Sequence, residues 1–137
     1  MLKNLAEIFD KEENRLVGVS YALFDGKPHF ITAVEMRFES FSATFRAIPD
    51  DDTLTVILEG LDLDSDESLI DVSKSEPWSQ CLGSRIPWLW RLTNQQGYDD
   101  GIRIEFSKPE EKFISVVEFI VMASAIQIFS ATRHETV

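Results

Sequence analysis

Residues 86–106 constrain the fold more than any other stretch, because apolar side chains recur with a period of two along two arms that flank a polar turn. Every second position of both arms is apolar: Ile86, Trp88, Trp90 and Leu92 on the first, and Ile102, Ile104 and Phe106 on the second. A period of two is typical of β-strands that bury one face. The stretch therefore predicts a β-hairpin, but it does not indicate a reaction.

The same period recurs along most of the chain and predicts further antiparallel strands. They are expected at residues 15–24, 30–38, 41–47, 54–58 and 69–72. Asp25-Gly26-Lys27-Pro28 is a strong turn signal between the first two of them. The strands up to residue 58 predict a meander in which each strand pairs with its neighbour in sequence, whereas residues 60–77 break the regular pattern and contain only the short strand at residues 69–72.

Helical spacing is confined to short segments. One apolar face predicts an N-terminal helix: Leu2, Leu5, Ile8 and Phe9. Residues 77–83 have Pro near the start and Gly at the end of a predicted helical turn. Residues 113–129 are apolar on both faces, but their Ile and Val content favours a strand, with a bend near residues 123–125. The tail from Ala131 onward is expected to fray.

The chain length of 137 residues predicts one domain, residues 1–137. We expect an α+β fold, with a strongly bent antiparallel sheet of about six strands, an N-terminal helix and one short helical turn. A closed small β-barrel is the alternative. Cys81 is the single cysteine, so an intramolecular disulfide is excluded and a buried thiol is the simplest interpretation.

The negative charge of the chain is concentrated in one segment. The net charge is −11, and residues 49–77 contain ten Asp or Glu against one Lys. Such a segment repels nucleic-acid phosphates and attracts cations. A solvated loop that keeps the protein soluble is the simpler interpretation, and a surface for a basic partner is the functional one.

The acidic segment also contains part of a calcium-binding pattern. Asp62, Asp64 and Asp66 have the spacing of the first three ligands of an EF-hand loop. Glu67 then stands where Gly is required, and Ser73 stands where a bidentate Glu is required. We therefore predict no metal site and no cofactor.

Catalytic patterns are missing from the sequence. The two histidines, His29 and His134, have no zinc-ligand spacing, and a Cys81–His29 pair would depend on a contact that the sequence does not indicate. No nucleophile elbow, phosphate-binding loop or dinucleotide fingerprint is present. We predict no catalytic residue, although paired carboxylates are numerous enough to leave the question of an enzyme open.

The termini and the apolar stretches predict a cytoplasmic protein without a membrane span. Lys3 and Glu7 fall where a signal peptide would be uniformly apolar. Residues 113–129 number 17, at the lower limit for crossing a bilayer, and they include Glu118 and Gln127.

A family resemblance rests on residues in and before the hairpin. They are Trp78, Leu82-Gly83, Ile86, Trp90, Thr93-Asn94-Gln95-Gln96-Gly97-Tyr98, Asp100 and Ile102-x-Ile104-Glu105-Phe106. This pattern resembles the signature of a small bacterial domain family of unknown function. The resemblance implies a mostly antiparallel sheet and a bacterial cytoplasmic setting, and it implies no activity.

The charge distribution favours a non-catalytic binding or regulatory module that engages a basic protein partner. The candidate partner-binding residues are Asp50, Asp51, Asp52, Asp62, Asp64, Asp66 and Glu67. Such binding should weaken as salt rises. We expect no nucleic-acid partner, because the arginines near the hairpin are balanced by acidic residues. An exposed last strand would offer an edge for a homodimer.

The alternative function is a small-ligand-binding protein or enzyme with a pocket near the hairpin. Its candidate ligand-binding residues are Trp88, Trp90, Asn94, Gln96, Tyr98, Asp99 and Asp100. Rings at alternate strand positions are more often core, and Asp99-Asp100-Gly101 is more often turn chemistry, so we favour those structural roles. Exposed rings would instead form a binding hot spot, and a carboxyl sheltered by them could act as a general acid.

Overall fold

The computed structural model describes residues 2–9 and 14–134, apart from the side chains of residues 2–4 and 134. The helices are α1 (Leu2–Phe9) and α2 (Trp78–Cys81), with a 3-10 turn at Pro109–Glu111. The strands are β1 (Leu16–Phe24), β2 (Ile31–Phe38), β3 (Ser42–Ile48), β4 (Thr53–Ile57), β5 (Glu67–Asp71), β6 (Arg85–Thr93), β7 (Asp99–Lys108), β8 (Phe113–Met122) and β9 (Ala125–His134). No helix in these ranges is long and apolar enough to cross a membrane.

The strands form two antiparallel sheets. Sheet A has the order β4-β3-β2-β1-β5, and sheet B has the order β6-β7-β8-β9. The predicted meander is confirmed for β1 to β4, whereas β5 pairs with β1. Six strands are too few, and the described part of the chain is predominantly β without a closed barrel. The segments predicted as strands already number eight, and the ninth arises because residues 113–134 form two strands instead of one.

The core lies between the facing sheets and is centred on Trp78, which is fully buried. Helix α2 places the indole ring 6.0 Å from the Phe106 ring and 5.9 Å from the Phe119 ring of sheet B. Its Nε1 donates a hydrogen bond of 2.6 Å to Tyr21 Oη in sheet A. The predicted helical turn is therefore confirmed, and its Trp78 side chain packs against both sheets.

Strands β8 and β9 form a hairpin whose turn residues, Ala123 and Ser124, have φ values of 52° and 68°. The bend predicted at residues 123–125 corresponds to this turn. Two-residue hairpin turns with positive φ at both positions are common, because their backbone twist fits the right-handed twist of the flanking strands. The fraying predicted from Ala131 is wrong up to His134, because β9 pairs with β8 along its whole length. Residues 135–137 lie outside the described residues.

Residues 58–66, which we call the acidic crossover, connect β4 at one edge of sheet A to β5 at the other. The crossover is hydrogen-bonded to the outer face of sheet A. Glu35 Oε2 accepts a bond of 2.7 Å from the Leu61 amide, and Thr44 Oγ1 donates one of 2.8 Å to the Glu59 carbonyl. The crossover is therefore held against the sheet, and its acidic side chains have defined positions.

Candidate functional site

The two predicted groups of site residues lie on different sheets. The acidic residues belong to the crossover, to the first position of β5 and to the β3–β4 turn of sheet A, whereas the aromatic hairpin is β6 and β7 of sheet B. The structure therefore provides two separate surfaces, and each must be assessed by its own geometry.

A concave site lies at the end of sheet A where β1 and β3 finish and β2 and β5 begin. We call this cavity of about 470 Å³ the acidic pocket. Its aromatic side is formed by Phe24 and Phe30, whose rings meet edge to face at 5.1 Å. Asp64 and Asp66 line it from the crossover, and Pro49 lines it from the β3–β4 turn. Carboxylates and aromatic rings thus face one cavity.

An ion pair between Arg46 and Glu67 also lines the acidic pocket. The Glu67 side chain is only 3% exposed and accepts bonds of 2.8 Å from Arg46 Nη1 and 3.2 Å from Arg46 Nη2. It also accepts hydrogen bonds from Thr32 Oγ1 and, at 2.9 Å, from the Asp64 amide. Burial alone would raise the pKa of Glu67, but these hydrogen bonds outweigh it and the pKa is lowered.

Glu67 consequently has a structural role that the sequence did not reveal. The Glu67 carboxylate is neutralised by Arg46, so it contributes little negative charge to the surface that a partner would contact. The pKa of Arg46 is raised, first by the hydrogen bond to Glu67 and further by the nearby charges of Asp64 and Asp62. Arg46 was not among the predicted site residues, and only its outward position in an alternating strand could have drawn attention to it.

The other acidic residues of the crossover present their carboxylates to solvent. Asp62, Asp64 and Asp66 are all exposed, and the Asp64 side chain is 75% accessible although it lies 3.9 Å from Arg46 Nη1. Backbone bonds fix the segment, since the Asp62 carbonyl accepts from Arg46 and the Asp66 carbonyl accepts from the Asp25 amide. These three carboxylates therefore form a fixed and accessible acidic surface.

The three aspartates of the β3–β4 turn have mixed roles. Asp50 is exposed, and Asp51 Oδ1 accepts bonds from the amide and hydroxyl of Thr53. Asp52 adopts a φ of 53° and accepts a bond of 2.8 Å from the Ser124 amide in the β8–β9 turn. Asp52 thus ties one sheet to the other, and Asp50 and Asp51 are the accessible members of this group.

The partial calcium-binding pattern has no counterpart in the geometry. Within residues 2–9 and 14–134, no three His, Cys, Asp or Glu side chains converge as a metal site. The side chain at the sixth position of the pattern, Glu67, is instead paired with Arg46.

The hairpin rings are exposed, so the expectation that they belong to the core is wrong. Trp88 is 61% exposed, Tyr98 is 49% exposed and Trp90 is 38% exposed. The β6–β7 pairing shifts register between Arg85 and Trp88, and Pro87 lies within the shift. After it, Leu89 packs against the core and the two Trp rings stack on the outer face at 6.3 Å. The irregularity reverses the phase of the alternation.

The polar residues of the hairpin mostly brace its turn. Asn94 Oδ1 accepts bonds from the Gln96 and Tyr98 amides at 2.9 and 3.3 Å. Thr93 Oγ1 donates a hydrogen bond of 2.9 Å to Asp99 Oδ1, and Asn94 Nδ2 donates one of 3.4 Å to Asp100 Oδ2. These hydrogen bonds support the structural role of the turn, and they leave few polar side chains of the hairpin available to bind a ligand.

A second cavity, of about 310 Å³, opens between the sheets beside β4. Its walls are apolar, with Leu54, Val56 and Ile102 among them, and Arg91 and Asp99 line it 3.6 Å apart. Asp99 is a predicted ligand residue, but the Trp rings face away from this cavity on the outer side of sheet B. The structure therefore does not assemble the predicted ligand residues into one site.

Cys81 is fully buried on α2, and His29 is exposed in the β1–β2 turn. Burial raises the pKa of the Cys81 thiol to about 11, against smaller opposing effects from Ser115 and Lys108. A nucleophilic thiolate is not formed in such surroundings.

We therefore expect Cys81 to react with an aromatic disulfide reagent at pH 8 far more slowly than a free thiol does. The reaction should reach full rate when urea unfolds the chain, which serves as the control. Rapid, stoichiometric labelling of the native protein would show that the thiol is accessible and that this assignment is incorrect.

Comparison with known proteins places the chain in a family of unknown function. The sequence model described as "Family of unknown function (DUF6334)" matches residues 1–135. No curated protein and no solved structure matches the chain.

Proposed function

We propose that this chain, which belongs to the DUF6334 family of unknown function, is a non-catalytic binding protein that engages a basic protein partner. The acidic pocket is the proposed binding site, and a Lys or Arg side chain of the partner is the proposed occupant. The observation that carries the proposal is that Asp64 and Asp66 line the same cavity as Phe24 and Phe30.

Carboxylates and aromatic rings together suit a long cationic side chain. Its charged end can pair with the carboxylates, while its methylene stem packs on the rings. An internal example is already present, since Lys27 Nζ lies 5.7 Å from the centroid of the Phe24 ring. The pocket thus offers both components of cation recognition.

The remainder of the acidic surface would act over a longer range. Asp50, Asp51 and Asp62 are exposed in the same strongly negative segment. Such a field raises the rate of encounter with a basic partner and is screened by salt. Because Arg46 neutralises Glu67, the uncompensated charge lies on the accessible aspartates, where a partner can reach it.

The proposal predicts that a short Lys-rich peptide binds more tightly than a Glu-rich peptide of equal length. The double substitution Asp64→Asn and Asp66→Asn should weaken Lys-peptide binding several-fold, since each exposed ion pair contributes about 0.2 to 1 kcal/mol. Titration calorimetry at low and high salt measures both effects.

A matched control removes the same amount of charge elsewhere. Glu110→Gln with Glu111→Gln changes two exposed carboxylates in the β7–β8 connection and should leave affinity nearly unchanged. Equal weakening in both double variants would mean that only net charge matters, which contradicts binding in the pocket. A lysate pull-down at low and high salt, with Asp62, Asp64 and Asp66 changed to Asn for comparison, would then identify the partner.

Small-ligand binding is the second candidate, and the apolar cavity beside β4 favours it. Apolar walls with the Arg91–Asp99 pair are the composition expected of a site for a small, largely apolar molecule with one polar group. If no basic peptide binds, this cavity is the next place to search.

A further inference from the structure

We infer that the outer face of sheet B is a surface on which a second copy of this chain docks to form a two-fold dimer. The face is the side of β6–β9 turned away from sheet A. Its principal side chains are Trp88, Trp90, Arg103, Glu118 and Phe129, which the strand register places on the same side.

The outer face of sheet B carries large apolar side chains in solvent. Trp88 is 61% exposed, Met122 is 52% exposed and Phe129 is 51% exposed, and they come from three of the four strands. Half-buried Val116 and Ile120 lie on the same side of the central strand β8. The Trp pair on β6 and the apolar side chains on β8 and β9 flank the charged side chains of β7, and exposed apolar surface rimmed by polar residues often marks an interaction site.

A second copy fits the outer face of sheet B because the charges of this face are balanced and can complement those of an identical face. Each copy has a net charge of −11, so two copies repel in most orientations. The acidic crossover lies over the outer face of sheet A, on the far side of the molecule. The outer face of sheet B is balanced instead, with Arg103 and Arg133 against Glu105 and Glu118. Docking through sheet B keeps the two acidic surfaces apart.

The central ion pair is self-complementary. Arg103 Nη2 lies 3.2 Å from Glu118 Oε1, and the Arg103 guanidinium lies 5.8 Å from the centroid of the Trp90 ring. In a two-fold interface residue i of one copy contacts residue j of the other, and residue j contacts residue i. Each Arg103 can therefore face the Glu118 of the other copy, which satisfies both charges in the centre of the contact.

The size of the face is adequate for a dimer. Four strands about 4.8 Å apart and about nine residues long cover a projected area of roughly 550 Å². Accessible area exceeds projected area because side chains protrude, so the face approaches the roughly 800 Å² per partner of a standard interface. Flat sheet faces pack in this way at a separation of about 10 Å.

Edge-to-edge pairing through β9 is a different dimer, and Trp88 distinguishes the two. Trp88 lies on β6, at the edge opposite β9. Face-to-face docking buries Trp88, whereas β9–β9 pairing leaves it in solvent.

Sedimentation equilibrium of the full chain tests the inference. The wild type should be dimeric, and Trp88→Ser and Phe129→Ser should each raise the dimer dissociation constant at least tenfold. Leu69→Ser is the matched control, because Leu69 is 55% exposed on β5 of sheet A, and it should change nothing. Acrylamide quenching of tryptophan fluorescence should decrease as the wild type dimerises, because Trp88 and Trp90 become covered.

Three results would overturn the inference. They are a wild type that stays monomeric at high concentration, a dimer unaffected by Trp88→Ser and Phe129→Ser, and a dimer weakened equally by Leu69→Ser. The second would indicate pairing through β9 or another surface. None of them bears on the acidic pocket, since the two surfaces belong to different sheets.

Discussion

Replacing Trp78 with alanine is expected to lower the free energy of unfolding by about 3 to 5 kcal/mol, the usual cost of truncating a buried Trp. The indole ring is fully buried and lies within 6.0 Å of the Phe106 and Phe119 rings. The substitution would leave a large cavity between the sheets and remove the partner of Tyr21 Oη. Since domains of this size are stable by about 5 to 15 kcal/mol, the change would consume a large share of the total.

Urea denaturation followed by circular dichroism measures this loss. Trp78→Phe provides a milder variant should Trp78→Ala fail to fold, and it should retain much of the ring packing while losing the hydrogen bond. Trp88→Ala is the matched control for residue type, and at protein concentrations below the dimer dissociation constant it should cost no more than about 0.5 kcal/mol because the ring is exposed in the monomer. Equal losses at positions 78 and 88 would contradict the assignment of Trp78 as the centre of the core.

Regular alternation allowed much of the fold to be predicted from the sequence. In β2, Val34, Met36 and Phe38 are buried as their spacing indicates, and Glu35 and Arg37 lie on the other face. The turn at residues 25–28 is also where the structure has it, because Asp and Gly readily adopt positive φ. Local signals of this kind need no knowledge of which strands pair at a distance.

The incorrect predictions arise where the strands depart from simple alternation or where strand pairing has no local signal. The register shift at Pro87 exchanges the faces of β6, so Trp88 and Trp90 are exposed where simple alternation places them inside. The sequence shows a proline there, but proline alone does not indicate a reversal of phase. The chain passes from sheet A to sheet B between β5 and β6, and the crossover places β5 beside β1; neither strand arrangement has a local signal in the sequence.

The acidic surface was predictable, whereas the pocket was not. Composition alone located the negative segment, because charged residues can be counted in the sequence without knowing what they contact. Phe24, Phe30 and Arg46 meet Asp64 and Asp66 only because β1, β2 and β3 end together beside the crossover. In the sequence Glu67 resembles the other surface carboxylates, because the arginine that neutralises it is 21 residues away.

Replacing Glu67 with glutamine is expected to lower the free energy of unfolding at pH 7 by about 2 kcal/mol. Glutamine is close to glutamate in shape, but it leaves the Arg46 guanidinium without a charged partner. Removing one member of a fully buried pair costs about 3 to 5 kcal/mol, and Arg46 retains 27% exposure, so water offsets part of the loss. Asp66→Asn is the control, because Asp66 is exposed and its change should cost less than about 0.5 kcal/mol.

The pH dependence of this difference tests the charge itself. The pKa of Glu67 lies below its ordinary value of 4.5 in the folded protein, so the carboxylate stabilises the fold fully above pH 4.5. That stabilisation is lost as the pH falls from 4.5 through the lower folded pKa, and Glu67→Gln lacks it at every pH. The difference in unfolding free energy between wild type and variant should therefore shrink in acid, whereas a difference independent of pH would show that shape and not charge makes Glu67 important.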